Sequence, residues 1–261
     1  MEQRFTFDQI AGAYGASRPE YPEALVDDVV SYASVTPGDP ILEVGCGTGQ
    51  ATKSFATRGL QIVAIDPGPE MVRAARASLA KFDNVELVEA TFEAWSQDKA
   101  PFRLILAAQS WHWVSPELRF VKAAKLLSSD GSLAVFGHVP TGLPVALLER
   151  FRDIYLRHTG RWGPPPEAWY LPSGPFKGWF DESGLFGPVE HRCYPWMRRH
   201  TTSSYANFLG TRSDIRMLMP TIRDELINDI SEAIDGHGGG FEVDYETHLY
   251  IARRASLDKQ L

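Results

Sequence analysis

Residues 41–50 read Ile-Leu-Glu-Val-Gly-Cys-Gly-Thr-Gly-Gln, a short apolar run broken by alternate glycines and followed by a helical pattern. A chain that leaves a buried strand and reverses into a helix needs backbone freedom at the turn. Gly45, Gly47 and Gly49 supply it, and they leave no Cβ between the backbone and a ligand. A second apolar run over residues 61–65 ends in Asp66. An acid that closes the next strand, about 20 residues after the first glycine, is placed to accept hydrogen bonds from both hydroxyls of a ribose. Together they describe a strand-turn-helix-strand unit with a nucleoside cradle at its carboxyl end.

The alternation continues downstream. Residues 51–58 read as a helix closed by Gly59, and residues 69–80 as a helix with Met71, Val72, Ala75 and Leu79 at helical spacing. Residues 84–89, 102–108 and 132–138 read as strands, and 116–127 as a helix opened by Ser115 and Pro116. Apolar strands separated by helices imply a parallel sheet covered on both faces, with ligands at the carboxyl ends of the strands. The expected class is α/β, a Rossmann-like doubly wound sheet.

Beyond residue 140 the pattern lapses. Residues 160–180 are crowded with Trp162, Pro164, Pro165, Pro166, Trp169, Tyr170 and Trp179, an aromatic-rich cap rather than a regular βα unit. A strand over 189–200, helices over 203–210 and 220–235, a glycine turn at 238–240 and a last strand over 246–252 follow. A strand returning through that turn gives the sheet an antiparallel edge. The expected organisation is a ligand-binding core with an N-terminal lid over 1–140, and a substrate-side cap over 141–261 that completes the sheet, within one integrated domain.

At 261 residues the chain is long enough for a sizeable core, and its formal charge of -7 argues against general binding to a nucleic-acid backbone. Cys46 and Cys193 are the only cysteines, and no metal-ligand spacing surrounds either, so no metal is expected. The start, Met-Glu-Gln-Arg-Phe, lacks the pattern of a signal peptide, and no apolar run approaches the ~18 residues that span a membrane. A cytoplasmic protein without membrane partners is expected; the oligomeric state is not legible.

The glycine spacing separates two nucleoside classes. Dinucleotide sites carry Gly-x-Gly-x-x-Gly, whereas this chain has Glu43-x-Gly-x-Gly-x-Gly. That form resembles the class I methyltransferases that use S-adenosylmethionine (SAM), in particular the trans-aconitate and ubiquinone-biosynthesis group. The similarity begins at Phe7-Asp8 and at Tyr14 to Pro22, read as Tyr-x-x-x-Arg-Pro-x-Tyr-Pro. It continues through the glycine turn, Asp66, Glu93, the segment Ala108-Gln109-Ser110-Trp111-His112-Trp113 and the Asp130-Gly131 turn, and extends through residues 201–254.

The resemblance implies a seven-strand sheet whose last pair forms the antiparallel edge, and SAM as cofactor. It implies that Gly45, Cys46, Gly47 and Gly49 line the methionine and ribose portions, with Asp66 on the ribose hydroxyls. Pro67 and Met71 would pack on adenine, Met71 being equally well read as a core residue. Thr91 and Phe92 fall at the adenine edge, Gln109 in the wall of the cofactor site, and Glu93 at a helix start. Tyr14 and Arg18 belong to a lead-in that folds over the cofactor; an arginine fork suits a carboxylate, and a surface ion pair is the other reading of Arg18. Glu43 either orients the cofactor's ammonium or accepts backbone hydrogen bonds beneath the turn.

For the acceptor, the resemblance implies a small carboxylic acid first, with the hydroxyl or carbon of a quinone-like or phenolic compound as the alternative. A carboxylate needs no general base; a hydroxyl or carbon acid does, and His112 after the fourth strand is the candidate, with His138 after the fifth behind it. The competing reading of His112 is a hydrogen bond to a neighbouring carbonyl beside two core tryptophans. Arg198, Arg199 and Arg212 offer cations to an acid, although arginines on an edge strand are ordinarily solvated. His200 and His248 carry no signal. Rival classes are an NAD-dependent dehydrogenase, against which the glycine spacing counts, a non-catalytic SAM-binding module, and a purely structural α/β protein.

Overall fold

A computed structural model describes residue 15 and residues 17–96 and 101–256. The chain enters through α1 (Glu23–Ala33), which buries Leu25, Val26, Val29 and Ala33 on one face and ends at Ser34 in the left-handed region. Then come β1 (Pro40–Val44), α2 (Gln50–Ala56), β2 (Gln61–Asp66), α3 (Pro69–Ser78), β3 (Val85–Glu89) and β4 (Phe102–Ala108). A single 3-10 turn, Trp111–Trp113, leads to α4 (Arg119–Leu126) and β5 (Leu127–Gly142). The second half comprises α5 (Val145–Thr159), a 3-10 segment at Pro166–Tyr170, α6 (Phe176–Ser183), β6 (Glu190–Thr201), α7 (Thr202–Gly210), α8 (Ser213–Arg216), α9 (Pro220–Asp235) and β7 (Gly240–Arg253).

All seven strands form one sheet in the order β3-β2-β1-β4-β5-β7-β6. β1 to β5 pair in parallel, and β7 runs antiparallel to both β5 and β6. The antiparallel end is therefore the expected last pair, with the reversed strand one place in from the edge. Its two strands are separated in sequence by α7, α8 and α9 rather than by a tight turn. Central strands are apolar on both sides because helices cover both faces. One core cluster includes Leu42, Ile105, Leu133, Trp111, Phe120, Tyr170, Phe176 and Phe180, and the opposite face includes Ile41, Leu104, Leu106, Phe55 and Phe136. A third cluster joins α5, α8 and α9 to β7 through Phe151, Ile215, Leu226, Ile230 and Tyr245.

The aromatic-rich cap is thus partly core. Tyr170, Phe176 and Phe180 are fully buried, and Tyr250 on β7 donates its hydroxyl to the carbonyls of Tyr170 and Leu171 at 3.0 and 2.9 Å. The sheet takes β1 to β5 from the first half of the chain and β6 and β7 from the second. Among the described residues no helix is long and apolar enough to cross a membrane.

Candidate active site

The turn after β1 is held by its neighbour strand. The backbone N–H groups of Gly45 and Cys46 both donate to the Ile65 carbonyl, at 2.8 and 3.0 Å. Gly47 lies at φ +55°, where an L side chain is strained, and its N–H donates to Oδ2 of Asp66 at 2.9 Å. The other Asp66 oxygen accepts from Gly68 N–H at 2.9 Å. A side chain at Gly45 would collide with Ser110, whose hydroxyl donates to the Val44 carbonyl; this packs the ends of β1 and β4 together.

Three adjoining spaces open at the carboxyl ends of β1, β2 and β4. The first, about 790 Å³ with its open mouth, is lined by Gly45, Gly47, Asp66, Pro67, Met71, Phe92 and Trp113, with Ala90, Glu93 and Ser110 among the rest. The second, about 370 Å³, lies under Arg18, Tyr21, Glu43, Cys46 and Gln50. The third, about 880 Å³, is walled by His112, Trp113, Trp169 and Tyr170, with Arg18, Glu167, Arg212 and Asp214 at its polar side. Gln109 lines all three. It is a non-glycine residue at φ +55°, pinned by its N–H to the Phe136 carbonyl at 2.9 Å and by the Tyr21 hydroxyl to its Oε1 at 3.4 Å. Backbone strain of this kind costs about 1 to 3 kcal/mol and persists where surrounding structure enforces it.

Glu43 is the most unusual group. It is 1% exposed, and its Oε2 has no hydrogen-bond partner. Burial pushes its carboxyl up to about 8, opposed by Thr52 and reinforced by Asp66. A buried acid with one oxygen unpartnered at the edge of the second space is costly unless a ligand meets it. The neighbouring Cys46 thiol is likewise pushed up by burial, with Asp66 and Glu43 adding to the rise, and is not a reactive thiolate.

His112 faces the third space and is paired with a phenol rather than a carbonyl. Its Nδ1 lies 3.5 Å from the Tyr170 hydroxyl, and its ring meets Trp113 and Trp169 at 4.6 and 5.8 Å between centroids. Burial lowers it to about 4, with Arg119 contributing, so the imidazole is neutral at pH 7. Trp111 is a core residue, while Trp113 lines two of the spaces. His138 lies away from these linings; its Nδ1 contacts Thr247 Oγ1 at 2.7 Å, and its ring stacks on Tyr21 at 4.4 Å.

Several sequence expectations change. Gly49 lines none of the three spaces: it caps α2, and a Cβ there would press on Leu79. Thr91 also stays out, accepting the Ala94 N–H at 3.1 Å and capping the turn after β3. Glu93 lines the first space while accepting Ser115 N–H at 2.9 Å. Arg18 borders two spaces, donates to the Thr211 carbonyl at 3.1 Å and lies over the Phe208 ring, linking the lead-in to the second half. Tyr14 lies outside the described residues.

Arg212 is not a spare cation for an acid. It is buried and bidentate to Asp214 at 3.0 and 3.1 Å, with Glu167 3.5 Å away. Burial opposes its charge, but the two carboxylates more than offset that and hold it protonated. Arg198 donates to the Ser17 carbonyl at 2.7 Å, and Arg199 is exposed on β6. Glu167 and Asp214 gave no signal in the sequence, because single acids in a proline-rich segment and in a four-residue helix have no periodicity that announces a partner.

Residues 41–131 match a family model described as a methyltransferase domain. An uncharacterised methyltransferase of Mycobacterium tuberculosis is 34% identical over 134 residues, 51% of this chain and 52% of that protein. At that identity the chain spans about half the length of the curated relatives it matches. A Saccharomyces cerevisiae protein assigned as a SAM-dependent methyltransferase is 26% identical over 92% of this chain and 94% of its own length. A solved structure from Anaeromyxobacter dehalogenans, described as a type II methyltransferase, superposes with a TM-score of 0.63 at 20% identity, covering 90% of this chain and 97% of that one. At that identity the likeness concerns the fold.

Proposed function

We propose that this chain, whose residues 41–131 match a methyltransferase-domain model, transfers a methyl group from SAM to a small organic acceptor. The observation that carries this reading is the junction at Gln109, where a nucleoside-sized cleft, a small space beside a buried acid and an aromatic-walled compartment meet. Asp66 would hold the ribose hydroxyls, Pro67, Met71 and Phe92 the adenine, and Glu43 and Arg18 the charged ends of the methionine moiety. The unpartnered Oε2 of Glu43 fits a ligand ammonium. When bound, SAM would supply an electrophilic methyl on a sulfonium, which the acceptor would take in line as S-adenosylhomocysteine leaves.

The chain's own contribution is positioning and exclusion of water. Trp113, Trp169 and Tyr170 wall the acceptor compartment, and Gln109 fixes the neck between it and the cofactor cleft. A carboxylic acid is the favoured acceptor. Its carboxylate is already a nucleophile, whereas an imidazole held near 4 is a poor proton acceptor for a phenol titrating near ~10. That mismatch amounts to about 8 kcal/mol against full transfer. The resemblance of the Tyr14 to Pro22 lead-in supports the same class. The alternative, a phenolic or carbon acceptor, requires a different base or an acceptor already ionised.

Calorimetric titration with SAM, S-adenosylhomocysteine and NAD tests the cofactor, and S-adenosylhomocysteine formation across carboxylate and phenol panels tests the acceptor. SAM binding without NAD binding and turnover of a carboxylate are expected, with His112→Ala lowering that turnover by less than about tenfold because no proton is removed. Binding of NAD in place of SAM would refute the cofactor. Turnover confined to phenols and lost in His112→Ala would refute the acceptor class.

A further inference from the structure

The antiparallel pair β6–β7 carries a side-chain cluster that plays no part in the cleft. In its register Cys193 stands opposite His248, His191 opposite Tyr250 and Pro195 opposite Glu246. Strand side chains alternate, so residues two apart share a face, and His191, Cys193, Glu246 and His248 project together. One potential ligand atom from each of Cys193, Glu246 and His248 lies within 4.8 Å of the other two. The three differ in placement: His248 is 2% exposed, Glu246 is half-buried and Cys193 is exposed.

The geometry points to a metal site on this face, with Cys193 Sγ, a Glu246 oxygen and His248 Nε2 as ligands and His191 as the group that orients His248. Thiolate, imidazole and carboxylate together are the donor set of a zinc-like ion. With Zn–S near ~2.3 Å and Zn–N and Zn–O near ~2.0 to 2.2 Å, tetrahedral ligands stand about 3.3 to 3.8 Å apart. His248 Nε2 and Glu246 Oε2 are already 3.0 Å apart, and the exposed Cys193 has freedom to close the remainder. A water completes the fourth position from the solvent side.

His248 has its second nitrogen fixed as such sites require: Nδ1 lies 2.9 Å from His191 Nε2, with the rings stacked at 5.2 Å. Metal-binding histidines almost always use the other nitrogen in this way. Nε2 of His248 is buried and makes no hydrogen bond although a Glu246 oxygen lies 3.0 Å away, so its lone pair is available to an ion. A divalent ion displaces the Cys193 thiol proton on binding. The balance is one proton released from Cys193, with His248 bound through Nε2 in the tautomer that carries its proton on Nδ1 and donates to His191 Nε2. No oxidant or reductant is involved. The ion would staple together two strands that the chain otherwise joins only through α7, α8 and α9.

Tag-free protein stripped with a chelator and titrated with cobalt(II) tests the site without reference to methyl transfer. Expected are one tightly held ion per chain, the intense visible bands of tetrahedral cobalt, a near-ultraviolet thiolate-to-cobalt absorption, and a raised melting temperature with zinc. Cys193→Ser should remove the thiolate absorption, and His191→Asn should keep it while weakening binding about ten- to a hundredfold. Both changes are at exposed positions, and unchanged circular dichroism and cofactor affinity certify the fold. A pale octahedral spectrum in the wild type, or a thiolate band persisting in Cys193→Ser, would overturn the assignment.

Discussion

Asp66 and Glu43 show how single acids at strand ends are set to different tasks by what reaches them. Asp66 clamps the turn through Gly47 and Gly68, so Asp66→Ala removes a support of the turn and, on the proposed function, the acceptor of the ribose hydroxyls. Calorimetry should show SAM and S-adenosylhomocysteine weakened about ten- to a hundredfold, about 1.5 to 3 kcal/mol for charge-assisted bonds. Unaltered affinity in the folded variant would refute the role. Glu43 gives a prediction about pH. Its carboxyl titrates near 8 in the fold against an ordinary 4.5, so between those values the folded state holds a proton that the unfolded chain has released. Stability therefore falls as pH rises through that window and stays low above it. Glu43→Gln should melt higher than wild type at about pH 9, by up to a few kcal/mol of stability, and match it near about pH 4. The same change should weaken SAM tenfold or more; equal melting curves at both pH values would show that the buried charge costs nothing. The position of Asp66 beside the glycine turn was legible from spacing alone. Gly49 and Thr91 were misassigned because spacing says which residues are near a turn but not which way a Cβ or hydroxyl points.

At the scale of elements, the seam between β5 and the Pro166–Tyr170 segment decides the shape of the acceptor compartment. A Cβ on Gly137 would lie 2.8 Å from the Tyr170 ring and 2.9 Å from Gln109 Cγ, so the strand admits the aromatic only because glycine stands there. Gly137→Ala should destabilise the protein by about 1 to 3 kcal/mol in urea unfolding, as overpacking does. It should also raise the acceptor KM, since Tyr170 and Gln109 both line that compartment. A variant with wild-type stability and KM would show that the segment docks elsewhere. The βα alternation up to β4 was readable because buried parallel strands are nearly continuous apolar runs. β5 was not readable in full. Ser128, Ser129, Asp130 and Gly131 carry the composition of a turn, yet the strand extends from Leu127 because Phe102 on β4 pairs with it. The aromatic cap was legible as an irregular insertion, whereas the complete burial of Phe176 and Phe180 came from packing that no local pattern encodes.

In the whole molecule, the second half of the chain supplies two strands of the sheet as well as walls of the aromatic compartment. β5 runs in parallel with β4 on one side and antiparallel to β7 on the other, from Ser132 opposite Arg253 to Gly142 opposite Asp244. The two arginines at the end of β7 reach across this boundary: Arg253 donates to the Tyr32 carbonyl at 2.6 Å, and Arg254 to the Leu127 carbonyl at 2.6 Å. The sequence revealed that a strand returns to the sheet. It could not reveal the register, and with it the grouping of Cys193, Glu246 and His248, because three helices intervene and no sequence spacing encodes a cross-strand pair. This continuity predicts that the glycine turn, although it lies wholly in the first half, does not function there alone. A fragment ending at Gly142 would expose the long unpaired edge of β5, and such edges pair with other chains. Expressed separately, residues 1–142 should elute as aggregate in size-exclusion chromatography and fail to bind SAM. Adding residues 143–261 as a separate chain before refolding should recover a one-to-one complex and its SAM affinity, because the β5–β7 ladder and the contacts from Arg253 and Arg254 can re-form. A monomeric 1–142 fragment with the affinity of the full chain would mean that β7 decorates the sheet rather than completing it.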